Sequence, residues 1–212
     1  MLSTPALDSH TSAPAPLLAP LGDDQSIADL DELIARVAAI NAATADLSDE
    51  ALNALSWSTF IRRMRLLSPQ AWSTRVEKRL LAAHHWKKLP ASLACGDAAT
   101  PSGNFEVKAT VLTDANSRAN FVQIRPHHDV AGYHLFVVEA DNHLVHLTLT
   151  KEQMAKELDL CGGLAHGTKK QKAHLDTHAE FAIRFDWTDN NPTRERFRAY
   201  EVPATERCCD AE

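Results

Sequence analysis

Residues 95–112 read CGDAATPSGNFEVKATVL, and the fold turns on them. Asp97 precedes a turn, Pro101-Ser102-Gly103, and a strand-like run follows that carries Glu106-Val107-Lys108. Side chains two apart on a strand share a face, so Glu106 and Lys108 project together while Phe105 and Val107 point the other way, into a core. A solvated ion pair would account for the two charges alone and would be worth only about 0–1 kcal/mol. Their surroundings point to chemistry instead. Asp97 ends a strand expected at 92–95, within a hairpin's reach of Glu106, and Glu77 sits on the helix before it. Two carboxylates at adjacent strand ends, with the Val107 carbonyl, make a half-open oxygen set of the kind Mg²⁺ takes while keeping several waters. Lys108 beside them would stabilise a pentacovalent phosphorus centre, or position an attacking water and help to deprotonate it.

Length and composition set the frame for that strand. With 212 residues, 44% hydrophobic and 24% charged, the chain is long enough for one core domain of about 100–200 residues plus further sequence. The longest apolar runs, such as LFVV at 135–138, are strand-sized, and the N-terminus lacks a charged region followed by an apolar one, so the expectation is a cytoplasmic protein with no membrane partner. Cys95, Cys161, Cys208 and Cys209 contain no CxxC pair, which argues against a disulfide framework or a zinc knuckle. The net charge of −6 is unevenly spread: residues 1–60 hold nine acids and one base, whereas residues 61–212 hold 21 bases and 19 acids. The second region is therefore near neutral and compatible with a local basic groove.

Residues 1–24, rich in Pro, Ala and Ser, read as a disordered leader. Ile27, Leu30, Leu33, Ile34, Val37 and Ile40 recur at helical spacing, and Leu52, Leu55, Ile61 and Met64 repeat the pattern in a run from Ser48, so residues 25–67 form a helical accessory or dimerisation segment. Ser68-Pro69 opens a third helix, to about residue 86. Strands are expected at 92–95, 104–112, 133–140 and 143–149, the last two joined by an Asp141-Asn142 turn. Thr150-Lys-Glu-Gln153 is a capping box opening a helix, and residues 180–187 and 194–202 read as closing strands. Residues 68–203 make up the core and 204–212 a tail.

The order of these elements, with Glu77 on a helix, Asp97 on a strand, Glu106-Val107-Lys108 on the next, then a strand pair and a helix, resembles the PD-(D/E)XK nuclease superfamily, best known from type II restriction endonucleases. The resemblance covers residues 69–202 and departs from the signature at Gly96, where the name implies proline. It implies a restriction-endonuclease-like α/β core, a central mixed sheet flanked by helices, and Mg²⁺-dependent hydrolysis of DNA phosphodiesters, with Mn²⁺ able to substitute. Asp97, Glu106 and Val107 would hold the metal, and Glu77, Asp97, Glu106 and Lys108 would form the catalytic set. In Asn120-Phe-Val-Gln-Ile-Arg-Pro126, Gln123 resembles a further catalytic-site residue and Arg125 a phosphate contact. Double-strand cleavage by such an architecture needs two sites, so a homodimer is expected.

A second stretch, Gly162-Gly-Leu-Ala-His-Gly-Thr168 followed by Lys169, Lys170 and Lys172, reads either as a helix stop with a solvated lysine run or as a DNA-backbone contact that includes His166. The order GxxxxGK[ST] is absent, so no nucleotide cofactor is expected. The rival readings are an inactive nucleic-acid-binding or regulatory protein on the same fold, and a zinc protein using His166, His174 and His178. His84-His85 and His127-His128 read as surface or groove residues, and Trp57, Trp72 and Trp86 as core.

Overall fold

Capping side chains and a change of apolar period lay out the elements of the computed structural model, which describes residues 25–45, 47–165, 169–170 and 178–203. The expected leader and tail, and His166, Lys172 and His174, lie outside these residues. The chain divides into two compact units, Met1–Ile40 and Asn41–Glu212. The described part of the first unit belongs to helix α1 (Gln25–Ala45), on which Leu30, Leu33, Ile34 and Ile40 are exposed.

In the second unit the helical run expected from Ser48 is broken. The Ser48 hydroxyl accepts from the Ala51 N–H at 3.1 Å to open α2 (Asp49–Asn53), and the Ser56 hydroxyl accepts from Thr59 N–H at 3.4 Å to open α3 (Trp57–Met64). A serine in the middle of the apolar pattern thus restarts the helix, because its side chain satisfies a donor that a continuous helix would bond internally. Ser68 caps α4 (Pro69–Ala83), with proline in its first turn as expected.

The mixed five-stranded sheet runs β1 (Lys87–Lys88), β2 (Ala98–Thr100), β3 (Gly103–Val111), β5 (Gly132–Val138) and β6 (Leu144–Thr150) in spatial order; β3 and β5 are parallel and the other neighbours antiparallel. A second sheet runs β4 (Arg118–Ile124), β9 (Phe181–Asp186), β7 (Leu164–Ala165) and β8 (Lys169–Lys170). The Thr150 capping box opens α5 (Lys151–Cys161), which ends at Gly162 in the left-handed conformation, φ 61°. The chain is therefore α/β with a mixed sheet flanked by helices.

Two expected strands are not strands. Residues 92–95 form turns and bends, and the strand begins after Asp97. Residues 194–202 instead contain most of α6 (Pro192–Arg198), because the Asn191 side chain accepts from the N–H groups of Thr193 and Arg194 and Pro192 occupies the first turn. The alternating arginines there mimic a strand period, but a cap and a pre-set proline φ decide for a helix. The chain beyond α6 then lies along β6, with Thr148 N–H donating to Tyr200 O and Val202 N–H to His146 O.

Each face of the five-stranded sheet buries a separate core. On one face Val107, Phe136, Val138 and Leu144 pack with Leu52, Phe60, Ile61, Met64, Val76 and Leu80 of the helices. On the other, Tyr133, Leu135, Val137, Leu147 and Leu149 pack with Phe121 and Phe181 of the second sheet, Leu158 of α5 and Phe197 of α6. At the edge of the first core a column of rings stacks His84 on Trp86 (4.4 Å between centroids), Trp86 on His134 (4.2 Å) and His134 on Phe105 (4.4 Å). His134 Nδ1 lies 3.0 Å from both His146 Nε2 and Thr148 Oγ1.

Burial, with the nearby His84, pushes the His134 imidazole down to about 3. The unfolded chain would take up that proton near the ordinary value of 6.5, so His134 favours the folded state above that pH and loses the contribution as the pH falls toward 3. His134→Asn, which keeps a polar atom at the Nδ1 position, is expected to remove on the order of 2–4 kcal/mol of pH-dependent stability from that window in urea unfolding at stepped pH. An unchanged acid slope would count against His134 as its source.

Candidate active site

Asp97, Glu106 and Lys108 come together as the sequence predicts. The register Ala98↔Phe105 places Asp97 opposite Glu106, and Asp97 N–H donates to Phe105 O at 2.9 Å. Glycine at position 96 makes this possible. Gly96 has φ 91°, and a Cβ there would lie 2.6 Å from Phe105 O and 2.9 Å from Val130 Cγ1. Proline, locked near φ −65°, cannot take that conformation. Glycine at position 96 is thus a requirement of this backbone.

Lys108 Nζ lies 3.0 Å from Asp97 Oδ2 and 2.6 Å from Glu106 Oε2. Asp97 Oδ2 also accepts the Val107 N–H at 3.0 Å. Strand N–H and C=O groups of one residue point to the same side, so the Val107 carbonyl lies on the side of Asp97, just before β2 begins. Glu106 is wholly buried. The face carrying Glu106 and Lys108 turns toward the second sheet: Thr110, next on that face, accepts the β4 Asn120 N–H at 3.3 Å. The charged face is not a solvated one.

His128, read from sequence as a surface or groove residue, belongs to the cluster. Its Nδ1 lies 2.7 Å from Glu106 Oε1. The linear signal was weak, because the histidine reaches Glu106 from the loop between β4 and β5, about twenty positions away in sequence. The contacts of Glu106 with Lys108 and His128 are at ion-pair distance, yet neither Glu106 oxygen has an aligned hydrogen bond. A buried carboxylate with unaligned lone pairs is an arrangement a cation would relieve.

Burial pushes the Glu106 carboxyl up to about 7; Lys108 draws it down and Asp97 adds to the rise. Burial also opposes the Asp97 charge, but Lys108 and the Val107 N–H outweigh it and hold Asp97 below its ordinary value. Burial likewise opposes the Lys108 charge, and the two carboxylates overcome it to raise the ammonium above its ordinary value. His128 is lowered, by burial first and then by Arg125, His127 and Lys108.

The other predicted residues lie around this centre or apart from it. Arg125 donates from Nε to Glu180 Oε1 at 2.8 Å and lies within electrostatic reach of Glu106 and Asp97. Glu77 on α4 pairs with Lys88 of β1 at 2.8 Å. Gln123 is exposed at a bulge in β4, with φ 55°. Neither Glu77 nor Gln123 forms a hydrogen bond or ion pair with Asp97, Glu106 or Lys108 among the described residues. Lys169 and Lys170 form β8, antiparallel to β7. Among the described residues no three His, Cys, Asp or Glu side chains gather as a metal-binding group; the oxygen set at the centre consists of two carboxylates and a carbonyl.

No protein-family model matches the chain, and no curated protein matches it.

Two outcomes follow from this geometry. Gly96→Ala is expected to destabilise the fold by about 2 kcal/mol or more, from strain at positive φ together with the clash on Phe105 O; a urea midpoint within error of the wild type would contradict it. The Glu106 contribution to stability should fall as the pH rises from 4.5 to about 7, because the folded state holds the Glu106 proton more tightly than the unfolded chain does, while His134 opposes it up to 6.5. Asp97, lowered, contributes the opposite slope only at more acidic pH. Glu106→Gln is expected to remove the Glu106 contribution, so that the stability of the variant relative to wild type rises by on the order of 1–3 kcal/mol from pH 4.5 to about 7.

Proposed function

We propose that the protein is a Mg²⁺-dependent endonuclease that hydrolyses DNA phosphodiester bonds, with a restriction-endonuclease-like core and double-strand cleavage by a homodimer. The observation that carries this reading is the Asp97–Lys108–Glu106 cluster, in which one half-buried ammonium is shared by two carboxylates and the buried Glu106 has no aligned hydrogen bond. Asp97, Glu106 and the Val107 carbonyl would hold the metal, which when bound acidifies a water and neutralises charge on the phosphate.

The chain's own groups do the rest. In the hydrolysis a water oxygen forms a new bond to phosphorus, one P–O ester bond breaks, and the departing oxygen takes a proton. Lys108 carries a preorganised positive charge, and charge aimed at the phosphoryl oxygens stabilises them more in the transition state than in the ground state. Its two carboxylate partners fix its position. Arg125, near the same centre, supplies a guanidinium suited to phosphate oxygens once Glu180 gives way. The exposed Leu30, Leu33, Ile34 and Ile40 of α1 support a second copy of the chain as partner.

The alternative, a binding or regulatory protein without hydrolysis, draws on the complete burial of Glu106. Plasmid DNA incubated with the protein in Mg²⁺ separates the two: cleaved ends support the nuclease, and DNA retained intact supports the binder. For the nuclease, Asp97→Asn is expected to abolish cleavage. Lys108→Ala is expected to lower the single-turnover rate by about 10²–10³ while leaving DNA binding in place. A Lys108→Ala rate within about threefold of wild type would return Lys108 to a purely structural ion pair.

A further inference from the structure

The connection between β4 and β5 is a strap laid over the cluster and pinned at several points. Asp129 N–H donates to Ala94 O at 2.8 Å, beside the Gly96-Asp97 turn, and Ala131 N–H donates to Asn104 O at 2.8 Å, at the start of β3. His128 N–H donates to Arg125 O at 3.1 Å, and the His128 carbonyl accepts both Val130 N–H at 3.0 Å and Lys151 Nζ, from α5, at 2.7 Å. The backbone of His128 is thereby fixed against the bend that precedes Asp97 and against β3, which carries Glu106. Its imidazole Nδ1 is buried and ends 2.7 Å from Glu106 Oε1, a close contact without hydrogen-bond alignment, while Lys108 lies against the opposite oxygen, Oε2. A glutamate side chain has three rotatable bonds, and two contacts on opposite oxygens restrict the plane of its carboxylate.

We infer that His128 is a positioning residue for Glu106: it seats Oε1 through its Nδ1 and so presents the carboxylate to a divalent cation in one orientation. This rests on the metal-dependent reading above. Groups that hold a ligating carboxylate from outside commonly change metal affinity by about 10- to 100-fold when removed. His128 itself need not touch the metal or the DNA.

The test uses the full chain and Mn²⁺, titrated with the electron paramagnetic resonance signal of the free ion as readout. His128→Asn keeps a nitrogen attached to the same side-chain carbon as Nδ1, His128→Gln moves the amide one bond farther out, and His128→Ala removes the contact. Alanine and glutamine are expected to weaken Mn²⁺ binding by about 10- to 100-fold, and asparagine to stay within about threefold of wild type. Thermal unfolding of each variant confirms that folded protein is compared, and should alanine not fold, glutamine against asparagine gives the same contrast. Wild-type affinity in the alanine or glutamine variant overturns the role of His128 alone, as does an equal loss in all three folded variants. A wild-type protein that takes up no Mn²⁺ overturns the metal reading, and the positioning role with it.

Discussion

Lys108 brings its ammonium to a nearly closed position on β3, 2.6 Å from Glu106 and 3.0 Å from Asp97, and the central part of the molecule is arranged around that contact. An isolated buried charge would be too costly to keep, whereas a charge met by opposite charges and hydrogen bonds can persist. One ammonium cannot fully compensate two carboxylates, one wholly buried and one half-buried. Glu106 therefore holds its proton up to about pH 7, which brings the trio close to neutrality in its protonated form. Buried ion pairs of this sort seldom add net stability over a well-packed apolar core, yet loss of one partner costs about 3–5 kcal/mol.

The carboxylates are positioned by backbone more than by side-chain packing. Gly96 turns the chain sharply enough for Asp97 to enter the ladder opposite Glu106, and the short Pro101-Ser102 connection holds β2 against β3. Because β2 begins only after Asp97, the Val107 N–H turns to the Asp97 carboxylate at 3.0 Å in place of a neighbouring strand. An interrupted sheet edge thus becomes the place where an acid, a backbone amide and a lysine meet.

The second sheet encloses this arrangement. Its apolar side completes the core beneath Tyr133, Leu135 and Val137, and the loop leaving β4 carries Arg125 and His128 over the charged strand. Tyr133, paired in register with Glu106 on the parallel strand, donates its hydroxyl hydrogen to Arg125 O at 3.2 Å. Sheet packing, the loop path and the electrostatics of the cluster are parts of one construction.

Local chemistry made much of this legible. The period of two across Phe105, Glu106, Val107 and Lys108 assigned the strand and its two faces, the Thr150 box opened α5, and Ser68-Pro69 opened α4, because caps and alternation depend on residues a few positions apart. The same locality misled at residues 92–95 and 194–202, where a short apolar run and alternating arginines imitated strands while Gly96 and the Asn191-Pro192 cap dictated otherwise. The sequence by itself determined that Glu106 and Lys108 share a face and that an acid waits near the turn before them. Only the tertiary structure decided that this face is buried beneath a second sheet, that His128 closes on Glu106, and that Glu77 pairs with Lys88. Those outcomes depend on contacts between segments whose meeting is set by the packing of whole layers, and no spacing within a single element encodes it.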